Sequence, residues 1–223
     1  MEDKKWLLEK MLEHISENKQ NLFDTIIQDR TRHITVVLEN IFQTQNASAV
    51  LRSCDCFGVQ DIHIIENNNK FETNRDVALG SSKWLDLIRY NKSENNSAEC
   101  FSSLKKKGYK LIGTTPHEND SLIHELPLDQ PVALVFGTEL TGLSDLAMKE
   151  MDGFVKLPMY GFTESFNISV SVALALYDTT ERLRKMDLDW YLTEDEKITT
   201  KLNWVRKVIK HSAKVEKEIL ARK

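Results

Sequence analysis

The sequence predicts an α/β protein with a mostly parallel sheet that is covered by helices on both faces. Short β-rich apolar runs alternate along the 223 residues with segments of helical periodicity, and this alternation is typical of parallel βαβ units. Several of the apolar runs end in polar or glycine-containing turns that lead into a helix. The hydrophobic content of 41% suits one domain of ordinary size with helical extensions.

The first elements are a helical segment, a strand and a second helix. Apolar residues at helical spacing indicate helix within residues 4–29, and the β-rich run at residues 34–39 predicts a buried strand. Asn46 is predicted as the N-cap of the next helix, because its side-chain oxygen can accept a bond from an unpaired backbone N–H. Gly58 is predicted to end that helix in a left-handed conformation.

The alternation continues through the middle of the chain. Further strands are predicted at residues 61–66, 85–90, 109–113, 131–136 and 153–157. Helices are predicted at residues 98–107 and 144–151. The polar stretch at residues 92–97 predicts a surface loop.

The last third of the chain is predicted to be helical. The run from Ile168 first alternates with period two, as a strand would, but it continues as far as Arg184 and is rich in helix formers. We therefore predict a buried helix capped by Asn167. Thr193 and Glu196 match a capping box, which predicts one more helix near the C-terminal end.

The charge pattern bears on nucleic-acid binding. The net charge of −4 and the pI of about 5.9 are mild evidence against a nucleic-acid binder, which usually carries a basic surplus. The charge is unevenly distributed, however, because residues 197–223 are rich in Lys and Arg. A solvated helix face explains such a segment about as often as a phosphate-binding face does.

Cysteine, histidine and hydropathy patterns bear on location and metals. The three cysteines match no disulfide framework or zinc pattern, which favours neutral thiols in a reducing cytoplasm. The six histidines show no close pairing, so we expect no metal site. No apolar run reaches about 18 residues and the first residues lack the apolar core of a secretory signal. We therefore expect a cytoplasmic protein without a membrane span.

Three blocks of the sequence join an apolar run to a turn and then to a helix. They cover residues 46–52, residues 136–142, and residues 157–159 with 164–169. Read alone, Arg52 fits a surface ion pair, Gly137 an ordinary strand-to-helix turn, and Asn167 a helix cap. Each also has a functional alternative, because a guanidinium can hold a phosphate and glycine lets the backbone approach a ligand. The glycines match neither a dinucleotide fingerprint nor a phosphate loop.

Together, the blocks resemble the three signature motifs of the TrmH (SpoU) family of RNA 2′-O-ribose methyltransferases, in the SPOUT superfamily. The resemblance covers roughly residues 34–184 and lies in the order and spacing of the blocks. It implies a SPOUT methyltransferase domain over residues 31–186 with a C-terminal deep trefoil knot, a helical extension at 1–30 and a basic helical extension at 187–223. It also implies S-adenosyl-L-methionine (AdoMet) as cofactor and a homodimer whose active site uses both chains.

Within this family, helical extensions without an added RNA-binding domain resemble the tRNA enzymes that methylate guanosine 18 in the D-loop. The resemblance therefore implies tRNA as partner. A ribosomal-RNA 2′-O-methyltransferase and a non-catalytic RNA-binding protein with the same fold are the alternatives. Two departures stand out: Phe166 replaces a leucine that is usual in the family, and Arg182 and Arg184 each fall one position later than two arginines of the tRNA enzymes.

The resemblance also implies roles for individual residues. The catalytic candidates are Asn46, Arg52, Glu139, Ser165 and Asn167. The AdoMet-binding candidates are Thr114, Gly137, Leu157, Met159 and Phe166. The candidates for RNA contact are Arg30, Arg32, Lys83, Lys201, Arg206, Lys207 and Lys210. Family proposals make Arg52 the base, but a guanidinium keeps its proton up to a pKa above about 12. We therefore expect Arg52 to grip a phosphate.

Overall fold

The computed structural model describes residues 2–74, 78–116 and 121–222. It divides into a helical unit, Met1–Thr31 with Tyr191–Lys223, and a sheet unit, Arg32–Trp190. Among the described residues, none of the helices combines the length and the apolar character that crossing a membrane requires.

Within the described residues, the sheet unit is built on seven strands. They are β1 (Ile34–Glu39), β2 (Asp61–Ile65), β3 (Asp86–Tyr90), β4 (Lys110–Thr114), β5 (Ser121–Leu122), β6 (Val132–Phe136) and β7 (Gly153–Lys156). Their order is β3-β2-β1-β6-β4-β7-β5, and every pairing is parallel. The predicted parallel α/β sheet is therefore confirmed. The two-residue strand β5 has no signal in the sequence and was not predicted.

Helices cover both faces of the sheet, as predicted. In this unit they are α3 (Thr44–Cys56), α4 (Asn96–Lys106), α5 (Asp145–Glu150) and α6 (Ile168–Leu183), numbered after two helices of the other unit. Val36 and Leu38 of β1 belong to the core cluster that includes residues of α3 and α6. Val37, which points to the opposite face, belongs to the cluster with α4 and α5. Because β1 is buried on both faces, four of its six residues are apolar and they do not alternate strictly with polar ones.

Two of the local predictions are wrong and one is confirmed. Asn46 is not an N-cap: α3 begins at Thr44 with Gln43 at the cap position, because the chain already turns away from β1 at Asn40, whose φ is +57°. The loop predicted at residues 92–97 ends early, because the buried residues Asn96 and Ser97 already form the first turn of α4. By contrast, the helix at Ile168–Leu183 is confirmed, with Asn167 as its cap.

The helical unit contains α1 (Glu2–Leu12), α2 (Glu17–Ile26), α7 (Glu194–Val208) and α8 (Ser212–Leu220). A single helix before β1 is therefore wrong: the chain breaks between α1 and α2, where the Gln20 side chain donates to the carbonyls of Leu12 and Ile15. The predicted capping box of Thr193 and Glu196 is present at the start of α7. The basic segment is split by His211, whose φ is +59°, into α7 and α8.

Candidate active site

The loops that follow β4, β6 and β7 enclose a cleft of about 420 Å³ with the first turns of α6. We call it the threonine cleft, after Thr114, Thr115, Thr138 and Thr141 in its lining. Its volume lies in the range of small-molecule sites. Its lining also contains all five residues predicted to bind AdoMet: Thr114, Gly137, Leu157, Met159 and Phe166. The structure thus gathers at one place residues that are far apart in the sequence.

The loop after β6 is a tight turn that only glycine permits at its base. A Cβ on Gly137 would lie 2.2 Å from the backbone carbon and oxygen of Gly142, so no side chain fits there. Thr138 and Gly142 exchange two backbone hydrogen bonds of 3.0 Å, and the backbone of Gly142 is left-handed with φ of +68°. This turn holds Glu139 at the rim of the cleft.

Side chains from all three sequence blocks meet at that rim. Asn46 Nδ2 donates to Glu139 Oε1 at 2.6 Å, and Asn167 Nδ2 donates to the same oxygen at 3.0 Å. Asn167 Nδ2 also donates to Asn46 Oδ1 at 3.1 Å. We call these three side chains the amide–carboxylate network. Asn46 caps no helix here, since its Oδ1 accepts from Asn167 Nδ2 and its Nδ2 donates to Glu139 and Gln43.

The two other catalytic candidates are placed differently. Ser165 lines the threonine cleft beside Glu164 and Phe166. Arg52 is exposed on α3 and lines neither the threonine cleft nor the second cleft, which is described next. It lies six residues beyond Asn46, which turns it roughly 240° around the helix. The structure therefore joins four of the five candidates and leaves Arg52 outside.

A second cleft, of about 480 Å³, shares the loop 138–142 and Ile168 with the threonine cleft. We call it the asparagine cleft, after Asn40, Asn46, Asn68 and Asn69 in its lining. It also contains Phe42 and Gln43, which our sequence analysis did not single out. The available signal was topological, because Phe42 and Gln43 follow β1, as Asn68 and Asn69 follow β2, at the carboxyl edge of the sheet.

In the sheet unit, the RNA-contact candidates differ in how far they are already engaged. Arg32 donates through Nε to Asp61 at 2.8 Å and through Nη2 to Asp86 at 2.9 Å. Burial raises the pKa of Asp61 against the opposing charge of Arg32. Lys83 is exposed at the end of a 3-10 turn, so it remains the more accessible candidate of the two.

In the helical unit, Arg30 does not suit a phosphate contact. Its side chain is only 3% exposed and lies over the Trp204 ring at 5.5 Å, so we withdraw it as a candidate. Arg206 forms a bidentate pair with Glu216, at 2.9 and 2.6 Å. This pairing raises the pKa of Arg206 and lowers that of Glu216. Lys201 pairs with Asp24 at 2.8 Å. The remaining candidates, Lys207 and Lys210, are both exposed.

Arg182 and Arg184, which fall out of the expected register, are engaged within the fold. Arg182 pairs with Asp178 at 2.9 Å and donates to the carbonyls of Ile123 and Leu126. Arg184 donates to the carbonyl of Phe57. These contacts anchor α6 to its surroundings and give both arginines a structural task.

The largest pKa shifts arise away from both clefts, in the core. His63, Tyr90 and Cys100 form what we call the buried cluster, in which His63 Nδ1 and the Tyr90 hydroxyl share a hydrogen bond of 3.0 Å. Burial lowers the pKa of His63 to about 3, raises that of Tyr90 to about 12 and raises that of the Cys100 thiol. None of the three lines a cleft, so these shifts reflect packing and not a reactive site.

Fold and site together define a class: an α/β protein with a parallel sheet that offers a ligand-sized cleft at the carboxyl ends of its strands. The chain belongs to the SpoU rRNA Methylase family, which it matches over residues 33–177. The resemblance inferred from the three blocks is thereby confirmed.

Comparisons with individual proteins agree with this family assignment. The chain is 41% identical over 202 residues to the tRNA (guanosine(18)-2′-O)-methyltransferase of Borreliella burgdorferi, covering 91% of each chain. Among solved structures, the Aquifex aeolicus TrmH/SpoU tRNA modifying enzyme is 25% identical with a TM-score of 0.77, covering 87% of this chain and 98% of that one. AviRb from Streptomyces viridochromogenes, a SpoU methyltransferase solved with AdoMet, is 22% identical with a TM-score of 0.63, covering 72% and 64% respectively, and shares the fold.

Proposed function

We propose that this protein catalyses AdoMet-dependent 2′-O-methylation of a ribose in tRNA, at guanosine 18 of the D-loop. The observation that carries the proposal is the amide–carboxylate network, which joins all three sequence blocks at the rim of a ligand-sized cleft. The choice of nucleotide follows the named activity of the Borreliella burgdorferi relative, which matches over almost its whole length.

The threonine cleft fits AdoMet as a methyl donor. Leu157, Met159 and Phe166 offer apolar contacts for an adenosine, and the turn at Gly137 brings bare backbone to the lining. Glu139, also in the lining, favours a positively charged ligand. When bound, AdoMet supplies an electrophilic methyl group on a sulfonium.

The residues of the chain would act mainly by positioning. The network fixes Asn46, Glu139 and Asn167 relative to one another, so a ribose that contacts them meets a rigid surface. Holding the 2′-oxygen in line with the methyl group is worth roughly 7–11 kcal/mol of the barrier. The guanidinium of Arg52 would grip the phosphate beside the target ribose and stabilise negative charge on the 2′-oxygen.

We propose a homodimer in which Arg52 serves the cleft of the partner subunit. Arg52 lies outside both clefts of its own chain. The neighbouring helix α6 carries an exposed apolar stripe of Val170, Leu174 and Tyr177, with exposed fractions of 43%, 40% and 60%. Such a stripe marks a contact surface. Tyr177 lies 6.3 Å from the Phe57 ring at the end of α3, which places the stripe and the helix of Arg52 on one side of the unit.

We also propose the trefoil knot of the SPOUT superfamily. Its support is the sheet order: β7 pairs with both β4 and β5, so a later segment lies between two strands that precede it.

We retain residues 31–186 as the methyltransferase domain in this proposal. Exposed cations at Lys83, Lys207 and Lys210 remain candidates for phosphate contact. A tRNA substrate supports the expected cytoplasmic location.

The proposal is tested by methyl transfer from labelled AdoMet to total tRNA and to ribosomal RNA, followed by mapping of the modified nucleotide. We expect transfer to tRNA at guanosine 18. Methylation of ribosomal RNA alone would identify the protein as a ribosomal-RNA methyltransferase instead. AdoMet binding without transfer to either RNA would favour a non-catalytic RNA-binding protein. No calorimetric binding of AdoMet or its demethylated product would refute the enzyme assignment.

Arg52→Lys in single turnover with saturating tRNA tests the role of the guanidinium. Lysine keeps the charge but lacks the bidentate fork, so we expect a rate lower by roughly 10- to 100-fold. Because Arg52 is exposed on α3, the melting temperature should stay unchanged. A near-wild-type single-turnover rate of Arg52→Lys would contradict a role for bidentate binding by the guanidinium.

A further inference from the structure

The asparagine cleft stands next to the proposed donor site but has a different chemistry. The two clefts share the loop 138–142, so a ligand in each would meet at Glu139. Among the described residues that line the asparagine cleft, none is Lys or Arg. A phosphate would find no counter-charge there, whereas a neutral, hydrogen-bonding group would be accepted.

The wall of this cleft is held in place by Asn40. Its Oδ1 accepts from the backbone N–H groups of Asn67 and Asn68, at 2.8 and 3.0 Å. Its carbonyl accepts from Asn69 Nδ2 at 2.9 Å. The left-handed backbone of Asn40, with φ of +57°, makes this arrangement possible. The turn after β2 is thereby fixed to the end of β1, so the cleft has a preformed shape.

Several polar groups in the cleft make no hydrogen bond with another described residue. Gln43 uses its Oε1 for Asn46, which leaves its Nε2 as a donor. Asn69 uses its Nδ2 for Asn40, which leaves its Oδ1 as an acceptor. The side chain of Asn68 is exposed and offers both a donor and an acceptor. Donors and acceptors side by side suit the Watson–Crick edge of a nucleobase.

Phe42 stands at the mouth of the cleft with 76% of its surface exposed. A large aromatic ring so exposed beside a polar cavity offers a flat face to a planar ligand. Stacking of a base on such a ring is sequence-tolerant and contributes substantially to the binding of unpaired RNA.

Resting on the proposed function, we infer that the asparagine cleft binds the base of the target nucleotide, which is turned out of the RNA and stacked on Phe42. With the base in this cleft, its ribose lies at the shared wall beside the amide–carboxylate network and the donor cleft. Phe42 then contributes to recognition of the target base, and the amide groups of Gln43, Asn68 and Asn69 bond its edge.

The test compares two tRNA transcripts, one with guanosine and one with an abasic ribose at position 18, as competitive inhibitors of methylation. Wild-type protein should bind the abasic transcript roughly 5- to 150-fold more weakly, the loss that one stacking contact predicts. Phe42→Leu, which keeps an apolar side chain but removes the ring, should bring this ratio close to one. Phe42→Trp should preserve it.

Leu79→Ala is the matched control, because Leu79 is also a large apolar residue, 66% exposed, on the same unit but outside both clefts. It should keep the wild-type ratio. AdoMet affinity should be the same in all variants, which verifies that each is folded. Any effect of the missing base on tRNA folding is common to all variants and cancels in the comparison.

A wild-type enzyme that methylates guanosine 18 but binds both transcripts equally would overturn the base site and leave the proposed function intact. Equal ratios for Phe42→Leu and wild type would do the same. A change in dimer mass in Phe42→Leu, with no change in the ratio, would assign Phe42 to a protein contact instead. If the wild type methylates no tRNA, the proposed function fails first, and the base site fails with it.

Discussion

The sheet unit holds two polar clusters that contrast in burial and in purpose. The amide–carboxylate network lies at the rim of the clefts, where Glu139 and Asn167 are exposed. The buried cluster lies in the core, where His63 is 1% exposed. The buried cluster has the strongly shifted pKa values, yet the network has the geometry of a site. In this fold, therefore, the strongly shifted pKa values accompany tight packing in the core, whereas segments distant in the sequence converge at the clefts.

The contrast predicts that disturbing the network slows methyl transfer and that disturbing the buried cluster lowers the free energy of unfolding. The largest effect is expected for Gly137→Ala, because the new Cβ collides with backbone at Gly142 and must deform the turn that holds Glu139. We expect the deformed turn to slow methyl transfer by about 100-fold, which corresponds to roughly 3 kcal/mol on the activation barrier. Gly153→Ala is the matched control, since its Cβ would meet only Ile112, at an ordinary 3.6 Å. Equal activity of the two variants would contradict this account.

Glu139→Gln removes the charge that both asparagines bond while keeping the shape. Replacing two charge-assisted bonds by weaker neutral ones should slow single-turnover methyl transfer by roughly 10- to 100-fold. The melting temperature should hardly change, because Glu139 is exposed. A variant that is destabilised but fully active would reverse the assigned roles of the two clusters.

His63 makes the buried cluster sensitive to acid. Its pKa is about 3 in the folded protein and about 6.5 in the unfolded chain, so the unfolded state binds the proton first as the pH falls. The stabilising contribution is complete above about pH 6.5 and is lost progressively toward pH 3. Between pH 7 and pH 5 the loss is about 2 kcal/mol. Denaturant unfolding of wild type and His63→Gln at both values measures it, and the variant should show a shallower dependence. Parallel curves would contradict this role.

Tyr90→Phe is expected to have the smallest effect. It removes the hydroxyl that shares a hydrogen bond with His63 and leaves a buried ring nitrogen without that partner. The expected cost is about 1 kcal/mol of unfolding free energy, measured as a lower melting temperature. Methyl transfer should be unchanged below the transition. A loss of activity in the folded variant would show that the buried cluster reaches the site.

The sequence predicts the sheet well, because buried parallel strands are rich in apolar residues. The strand predicted at residues 61–66 is observed at Asp61–Ile65, and that at 153–157 at Gly153–Lys156. Helix starts are predicted less well, as Asn46 illustrates. Many polar residues can cap a helix, and the one that does so depends on where the preceding strand releases the chain.

The site could be predicted as a set of residues but not as a geometry. Asn46 and Glu139 are 93 residues apart, and Asn46 and Asn167 are 121 apart, so no local pattern encodes their hydrogen bonds. Resemblance to a family supplied the set. The asparagine cleft was missed because Phe42 and Asn68 belong to different loops and become neighbours only through the parallel pairing of β1 and β2.

The position of β7 between β4 and β5 has a consequence for biosynthesis. The strand that fills this gap is translated after both of its neighbours, and after β6 and α5. A ribosome-bound chain that ends before residue 153 therefore presents β4 with an unpaired edge, which is a template for wrong pairing with another chain. Such a nascent chain depends on completing synthesis quickly or on a chaperone, and truncations upstream of β7 should aggregate.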